Sequence, residues 1–147
     1  MAKKIQFVEV NSELGAGTRG ASLGIGAVKT ASLNTGNKLF KNYNPIEVEV
    51  YNEKLWDDEK KYPEAKRIDG IVRVLDNVSN TISEVLKSSY PIVLAGDHST
   101  AAGTICGIKK AHPNKRLGVI WIDAHADLHT PYTSPTGNVH GMPLSIA

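Results

Sequence analysis

Two aspartates and a histidine alternate in the stretch Asp123-Ala-His125-Ala-Asp127. In an extended backbone, side chains at i, i+2 and i+4 leave the same face, with roughly 6 to 7 Å between successive members. Two carboxylates that lie this close repel each other unless a proton or a cation compensates their charge. The pattern therefore predicts a site for a divalent metal ion, and the alternative is a solvated polar loop.

A fourth metal ligand, His98, is predicted from the order of the neighbouring elements. Apolar runs at residues 90–95 and 117–122 predict two buried strands, and residues 99–110 predict a helix between them. Strand, helix and strand at this spacing indicate a parallel pair whose carboxyl ends meet at one edge of the sheet. His98 would then lie beside Asp123. Alternatively, it is an incidental polar residue of a turn that caps the helix.

The donor set and the loop that follows it indicate the kind of chemistry. Two histidines and two aspartates without a thiolate suit Mn, Fe, Zn or Co, and a carboxylate-rich site favours Mn. A polar loop follows Asp127 and is predicted to line the mouth of the metal site, with histidines at 129 and 140. His140 could shuttle a proton, because imidazoles titrate near neutral pH. A structural hydrogen bond is an equally good interpretation of His140.

The remaining elements are those of an α/β domain. Alternating apolar residues predict strands at 4–10 and 45–51, and the apolar spacing from Ile68 to Leu86 predicts a long helix. A shorter helix is expected around residues 27–31. The loop Gly15-Ala-Gly-Thr-Arg-Gly20 has the form G-x-G-x-x-G, but no acidic residue between Glu13 and Glu47 could bind a ribose. We therefore interpret it as a loop at the functional edge or a tight turn.

Composition limits the class of protein. The 147 residues, of which 41% are hydrophobic, predict a single domain spanning 1–147. The net charge of +2, with no Lys or Arg run longer than two, argues against a nucleic-acid partner. No apolar segment has the length of a signal peptide or a membrane span, so a cytoplasmic protein without a membrane partner is expected. The single cysteine, Cys106, excludes an internal disulfide and is predicted to be buried.

Several segments together resemble the manganese-dependent ureohydrolases, and within them the arginases. The resemblance rests on Ala95-Gly-Asp-His-Ser99, Trp121-Ile-Asp-Ala-His-Ala-Asp127, Ser134-Pro-Thr-Gly-Asn-Val-His-Gly-Met-Pro143 and the glycine-rich loop from Gly15 to Gly24. It implies a three-layer α/β/α fold with a mainly parallel sheet. It also implies the hydrolysis of L-arginine to L-ornithine and urea.

The resemblance assigns a role to each candidate residue. His98 and Asp127 would bind one Mn²⁺, His125 would bind a second, and Asp123 would bridge the two. A hydroxide between the metals would attack the guanidinium carbon of arginine. Asp127 would also accept a hydrogen bond from that hydroxide, and His140 would act as the proton shuttle.

The substrate side of the resemblance has two departures. His129, Thr136 and Asn138 fall in the loop that binds the α-carboxylate of the amino acid, where the family usually has Asn at 129 and Ser at 136. Thr136 keeps the hydroxyl and Asn138 matches, whereas His129 keeps a donor but changes its reach. Arginine is the expected small-molecule substrate, and an agmatinase-like or other guanidino hydrolase is the alternative.

Length is the largest departure from the family. The second half of an arginase brings another pair of aspartate ligands and the acids that bind the α-amino and guanidinium groups, and none of these is in this chain. We therefore expect the N-terminal half of an arginase, as a fragment, a truncated product or one piece of a split enzyme, and a poor catalyst on its own. Unpaired strand edges make a homo-oligomer the expected state. An inactive metal-binding or assembly fragment is the alternative from another class.

Overall fold

Three parallel strands form the sheet of this protein. The computed structural model describes residues 4–41 and 43–147. Strands β1 (Lys4–Val10), β2 (Ile46–Glu47) and β3 (Ser89–Ala95) lie in the order β2-β1-β3. β1 and β3 pair along their whole lengths, from Lys4 opposite Ser89 to Val10 opposite Ala95. The predicted α/β class with a parallel sheet is confirmed.

Within the described residues, five α-helices and three short 3-10 helices accompany the sheet. The α-helices are α1 (Gly24–Asn34), α2 (Asn52–Leu55), α3 (Ile68–Val85), α4 (Thr100–Ala111) and α5 (Pro143–Ile146), and the 3-10 helices span Ala21–Leu23, Trp56–Lys60 and Val139–Gly141. The long helix α3 and helix α4 lie where the sequence predicts them. Helix α1 is longer than the predicted 27–31 at both ends.

Packed residues cover both faces of β1. Val8 and Val10 are fully buried and belong to one apolar cluster with Val74 and Val78 of α3. Successive side chains of a strand alternate between its faces. On the other face, the Glu9 carboxylate binds the Lys29 ammonium of α1 at 2.8 Å. The sheet therefore lies between two helical layers, and its carboxyl end is left open for the site.

The strand predicted at 45–51 is much shorter than expected. Only Ile46–Glu47 pairs with β1, opposite Val8 and Glu9, and the Val48 N–H then donates to the Glu9 carbonyl. β1 ends one residue further on, at Val10, so the later residues have no strand left to pair with. The chain turns into α2 instead, where the Asn52 side chain donates to the Asn11 carbonyl at 2.7 Å.

The prediction of a buried strand at 117–122 is wrong. This segment belongs to no strand of the described sheet, and Ile120 and Ile122 are 89% and 93% exposed. A cavity of about 450 Å³ lies between it and β3, lined by Val93 and Ala95 on the strand side. A strand requires backbone hydrogen bonds to a neighbour, and residues 117–122 form none with β3.

Two further sequence predictions concern Cys106 and membrane spans. Cys106 lies on α4 and is exposed, so the prediction that it is buried is wrong. The reason is that the face of α4 that packs against α3 is formed by small residues such as Gly103 and Gly107, and Cys106 lies outside that face. No helix within residues 4–41 and 43–147 is long and apolar enough to cross a membrane.

Candidate metal centre

Three predicted ligands converge at the carboxyl end of β3. His98 follows this strand, and its Nδ1 lies 3.1 Å from Asp123 Oδ2 and 2.8 Å from Asp127 Oδ2. One ligand atom from each of the three residues lies within 4.8 Å of the other two. Asp127 is buried, whereas His98 and Asp123 are partly open to solvent. One imidazole nitrogen facing two carboxylate oxygens is a donor set that fits Mn²⁺ and similar divalent ions.

The backbone of residues 123–127 bends, so the predicted extended geometry is wrong. Asp123 Oδ1 accepts a hydrogen bond from the His125 backbone N–H at 2.8 Å. Asp127 has a φ of 51°, in the left-handed region that costs a non-glycine residue roughly 1–2 kcal/mol. Asp123 and Asp127 converge as a result, whereas the His125 side chain is 82% exposed and lies outside the three-ligand group.

Asp123 nevertheless lies between the two histidines. One of its carboxylate oxygens faces His98, and the other lies 3.3 Å from His125 Nδ1. The hydrogen bond from the His125 backbone lowers the pKa of Asp123 below its ordinary value of 3.8, burial opposes this, and the charge of His98 adds to the lowering. Asp123 is therefore an ionised carboxylate with an oxygen available on each side.

Two residues that the sequence did not predict as site residues support His98. The Trp121 ring stacks on the His98 ring, with centroids 4.6 Å apart and planes 20° from parallel. The buried Asp97 carboxylate accepts hydrogen bonds from the Ser99 N–H at 2.9 Å and from Ser99 Oγ at 2.5 Å. Burial raises the pKa of Asp97, and the hydrogen bonds from Ser99 oppose the rise. From the sequence, Asp97 and Ser99 have no role beyond that of residue types that can cap the following helix.

All eight predicted site residues line one cavity of about 790 Å³. They are His98, Asp123, His125, Asp127, His129, Thr136, Asn138 and His140. The four metal-ligand candidates are adjacent in this cavity, and the other four belong to the loop that follows Asp127. The structure thus brings the two predicted groups of residues to a single opening.

Hydrogen bonds fix the loop side of the cavity. The His129 N–H donates to the Gly141 carbonyl at 3.0 Å, and Ser145 Oγ donates to the His129 carbonyl at 2.5 Å. Thr136 Oγ1 accepts a hydrogen bond from the Asn138 N–H at 3.2 Å, which leaves the hydroxyl hydrogen free to donate. Asn138 Oδ1 is buried and accepts no hydrogen bond from the residues that the structure describes.

Comparisons with known proteins give the family. A family model described as "Arginase family" matches residues 3–147. The arginase of Bacillus subtilis is 35% identical over 150 residues, a match that covers 100% of this chain and 49% of that protein. The arginase of Brevibacillus brevis is 37% identical, with coverage of 99% and 48%. The crystal structure of Entamoeba histolytica arginase in complex with L-ornithine aligns with a TM-score of 0.79 at 30% identity, over 99% of this chain and 49% of that chain.

These matches define a hydrolase class and a family within it. An α/β chain with a cluster of histidine and carboxylate side chains at the end of a parallel strand fits the ureohydrolases, as its relatives do. The chain belongs to the arginase family. It spans about half the length of the curated relatives that it matches, and corresponds to their N-terminal half.

Proposed function

We propose that this protein takes part in the manganese-dependent hydrolysis of L-arginine to L-ornithine and urea. One observation supports the proposal above the others: the metal-ligand group and the loop residues of the arginase motif line the same cavity. The similar arginase of Entamoeba histolytica was solved in complex with L-ornithine, the product of this reaction.

The metal ions would be held by four side chains. His98, Asp123 and Asp127 would bind one Mn²⁺, and His125 with the second Asp123 oxygen would bind another. When bound, such ions lower the pKa of a bound water towards neutral pH and neutralise developing negative charge. The two-sided arrangement of Asp123, with one oxygen towards each histidine, supports its role as a bridge.

Two residues would guide water and protons during the reaction. Asp127 is buried and lines the cavity, and its carboxylate would accept a hydrogen bond from the water that attacks the guanidinium carbon. The bond between that carbon and Nε of the substrate then breaks, and the leaving nitrogen takes up a proton to become the δ-amino group of ornithine. His140 lines the same cavity and would carry this proton between solvent and substrate.

The loop side of the cavity would bind the amino-acid end of the substrate. The Thr136 hydroxyl, the Asn138 amide and the His129 imidazole each supply a donor for an α-carboxylate. Agmatine lacks that carboxylate, so these contacts would favour arginine over agmatine. The cytoplasmic location and the homo-oligomeric state stay predictions from the sequence.

Manganese binding by the purified chain tests the metal part of this proposal. Bound Mn²⁺ per chain can be measured by electron paramagnetic resonance, for the wild type, for Asp123→Asn and for Asp76→Asn as an exposed control on α3. We expect Asp123→Asn to weaken binding at least about tenfold, because it removes one charged ligand, and Asp76→Asn to bind like the wild type. A wild-type chain that binds no Mn²⁺ would refute the proposal.

Release of urea tests the substrate. The Mn²⁺-loaded chain should release urea from arginine, slowly and faster than from agmatine. Urea from agmatine alone would identify an agmatinase-like hydrolase instead. Tight Mn²⁺ binding with no urea from either compound would favour a metal-binding module.

A further inference from the structure

Gly15 connects two walls of the cavity through its backbone. Its N–H donates to Asp97 Oδ2 at 3.2 Å, and its carbonyl accepts a hydrogen bond from the His140 N–H at 3.2 Å. Asp97 directly precedes His98 in the turn after β3, and His140 lies in the loop on the other side. One residue of the first loop therefore links the turn that carries a candidate metal ligand to the candidate proton shuttle.

There is no space for a side chain at Gly15. A Cβ atom at this position would lie 2.6 Å from Asp97 Oδ1, 2.7 Å from Ser99 Oγ and 2.8 Å from Ser99 Cβ. All three distances are below the 3.0 Å that real Cβ contacts respect. Asp97 and Ser99 are both buried and hydrogen-bonded to each other, so neither can rotate away easily. An alanine at position 15 must displace the turn that carries His98.

We propose that Gly15 and Asp97 are positioning residues that set the place of His98 relative to His140. The Asp97 carboxylate is not one of the three grouped ligands His98, Asp123 and Asp127. It acts through the turn, where it accepts hydrogen bonds from the Gly15 N–H on one side and the Ser99 N–H on the other. The G-x-G-x-x-G pattern thus has a structural explanation without a nucleotide: its first glycine is a backbone clamp behind the metal site. This inference rests on the proposed function, because it gives His98 and His140 the roles assigned there.

Two variants break the clamp in different ways. Gly15→Ala introduces the steric overlap. Asp97→Asn keeps the side-chain volume and an oxygen for Ser99, but places an amide N–H₂ against the Gly15 N–H, so that the two donors face each other. Gly24→Ala is the matched control, because Gly24 has no atom within 4 Å of an added Cβ and is helical.

Mn²⁺ affinity of the full 147-residue chain is the first measurement. We expect the Kd for Mn²⁺ to rise at least about tenfold in Gly15→Ala and in Asp97→Asn, the size usual for residues that orient metal ligands. Gly24→Ala should stay within about twofold of the wild type. Wild-type affinity in Asp97→Asn would overturn the inference, and this variant decides the matter if Gly15→Ala does not fold.

The second measurement needs no metal. In the metal-free chain, the imidazole ¹⁵N and ¹H signals of His98 and His140 should shift in both clamp variants and stay in place in Gly24→Ala. Unshifted signals in Asp97→Asn would overturn the inference even if the wild type failed to bind Mn²⁺. A failure of the proposed function and a failure of the clamp are therefore told apart.

Discussion

Gly137 links the loop side of the cavity to the segment that precedes α3. Its carbonyl accepts a hydrogen bond from the Lys66 N–H at 2.9 Å, and its N–H donates to Ser134 Oγ at 3.0 Å. Its φ is +70°, and a Cβ at this position would lie 1.9 Å from the Pro63 carbonyl oxygen. Gly137→Ala should therefore destabilise the protein and loosen the loop that carries Thr136.

The size of the effect follows from these contacts. The contact at 1.9 Å must lengthen to at least 3.0 Å, so backbone must move by 3.0 − 1.9 = 1.1 Å. This movement is large enough to break the hydrogen bond between Lys66 and Gly137, which is worth about 0.5–1.5 kcal/mol. The left-handed backbone adds roughly 1–2 kcal/mol for alanine. We expect a total loss of about 1.5–3.5 kcal/mol in the free energy of unfolding.

Urea unfolding followed by tryptophan fluorescence measures this loss. With a slope of roughly 2 kcal/mol per molar urea, the midpoint should fall by about 1–2 M. Gly118→Ala is the control, because nothing lies within 4 Å of a Cβ added at Gly118. If the two variants unfolded at the same urea concentration, the reasoning about the contact between Gly137 and Pro63 would be refuted.

Two other predictions concern a buried acid and a tryptophan. Burial raises the pKa of Glu13, but hydrogen bonds from the Ser22 hydroxyl and from backbone N–H groups outweigh it, so the pKa lies below 4.5. A lowered pKa in the folded state gives stability above pH 4.5 that is lost as the pH falls. Glu13→Gln should therefore cost about 1–3 kcal/mol at pH 7 and less at pH 3, and urea midpoints that drop equally at both values would contradict this. Because Trp121 stacks on His98, Mn²⁺ titration should quench the fluorescence of Trp121. Trp121→Phe should abolish this quenching, while Trp56 still emits. An unchanged wild-type spectrum at saturating Mn²⁺ would contradict the prediction.

Helix α3 and strand β1 can be predicted from the sequence pattern within each segment. In α3, Ile71, Val78 and Ile82 have the predicted apolar spacing and are buried, whereas Val72 is 46% exposed and Val74 is buried in its place. Strand β1 likewise lies where residues 4–10 predict it, and it pairs with β3 along its whole length. Residues 117–122 have the composition of a buried strand, but a strand also needs a partner for its backbone hydrogen bonds. Composition says nothing about where that partner lies, so this prediction is wrong.

The candidate site likewise has one contact that the sequence predicts and two features that it does not. The sequence predicts the meeting of His98 with Asp123 and the structure contains it, although the parallel strand at 117–122 from which it is predicted does not form. The outward position of His125 could not be predicted, because it depends on the bend that the Asp123 side chain forms with the His125 backbone. The clamp at Gly15 joins it to Asp97, 82 positions away, and no pattern within either segment reveals such a contact.

The number of carboxylates in the cavity limits the number of metal ions that this chain can hold. Among the described residues that line it, none is Lys or Arg, and Asp123 and Asp127 are its two carboxylates. Two carboxylates balance one divalent ion, whereas two such ions and a guanidinium cation carry five positive charges. The described residues therefore favour one tightly held Mn²⁺ per chain, and a second ion with bound arginine requires further carboxylates. We expect the measured ratio of Mn²⁺ to chain to lie near one for this reason, and a ratio near two would mean that a second copy or another polypeptide supplies the missing acids.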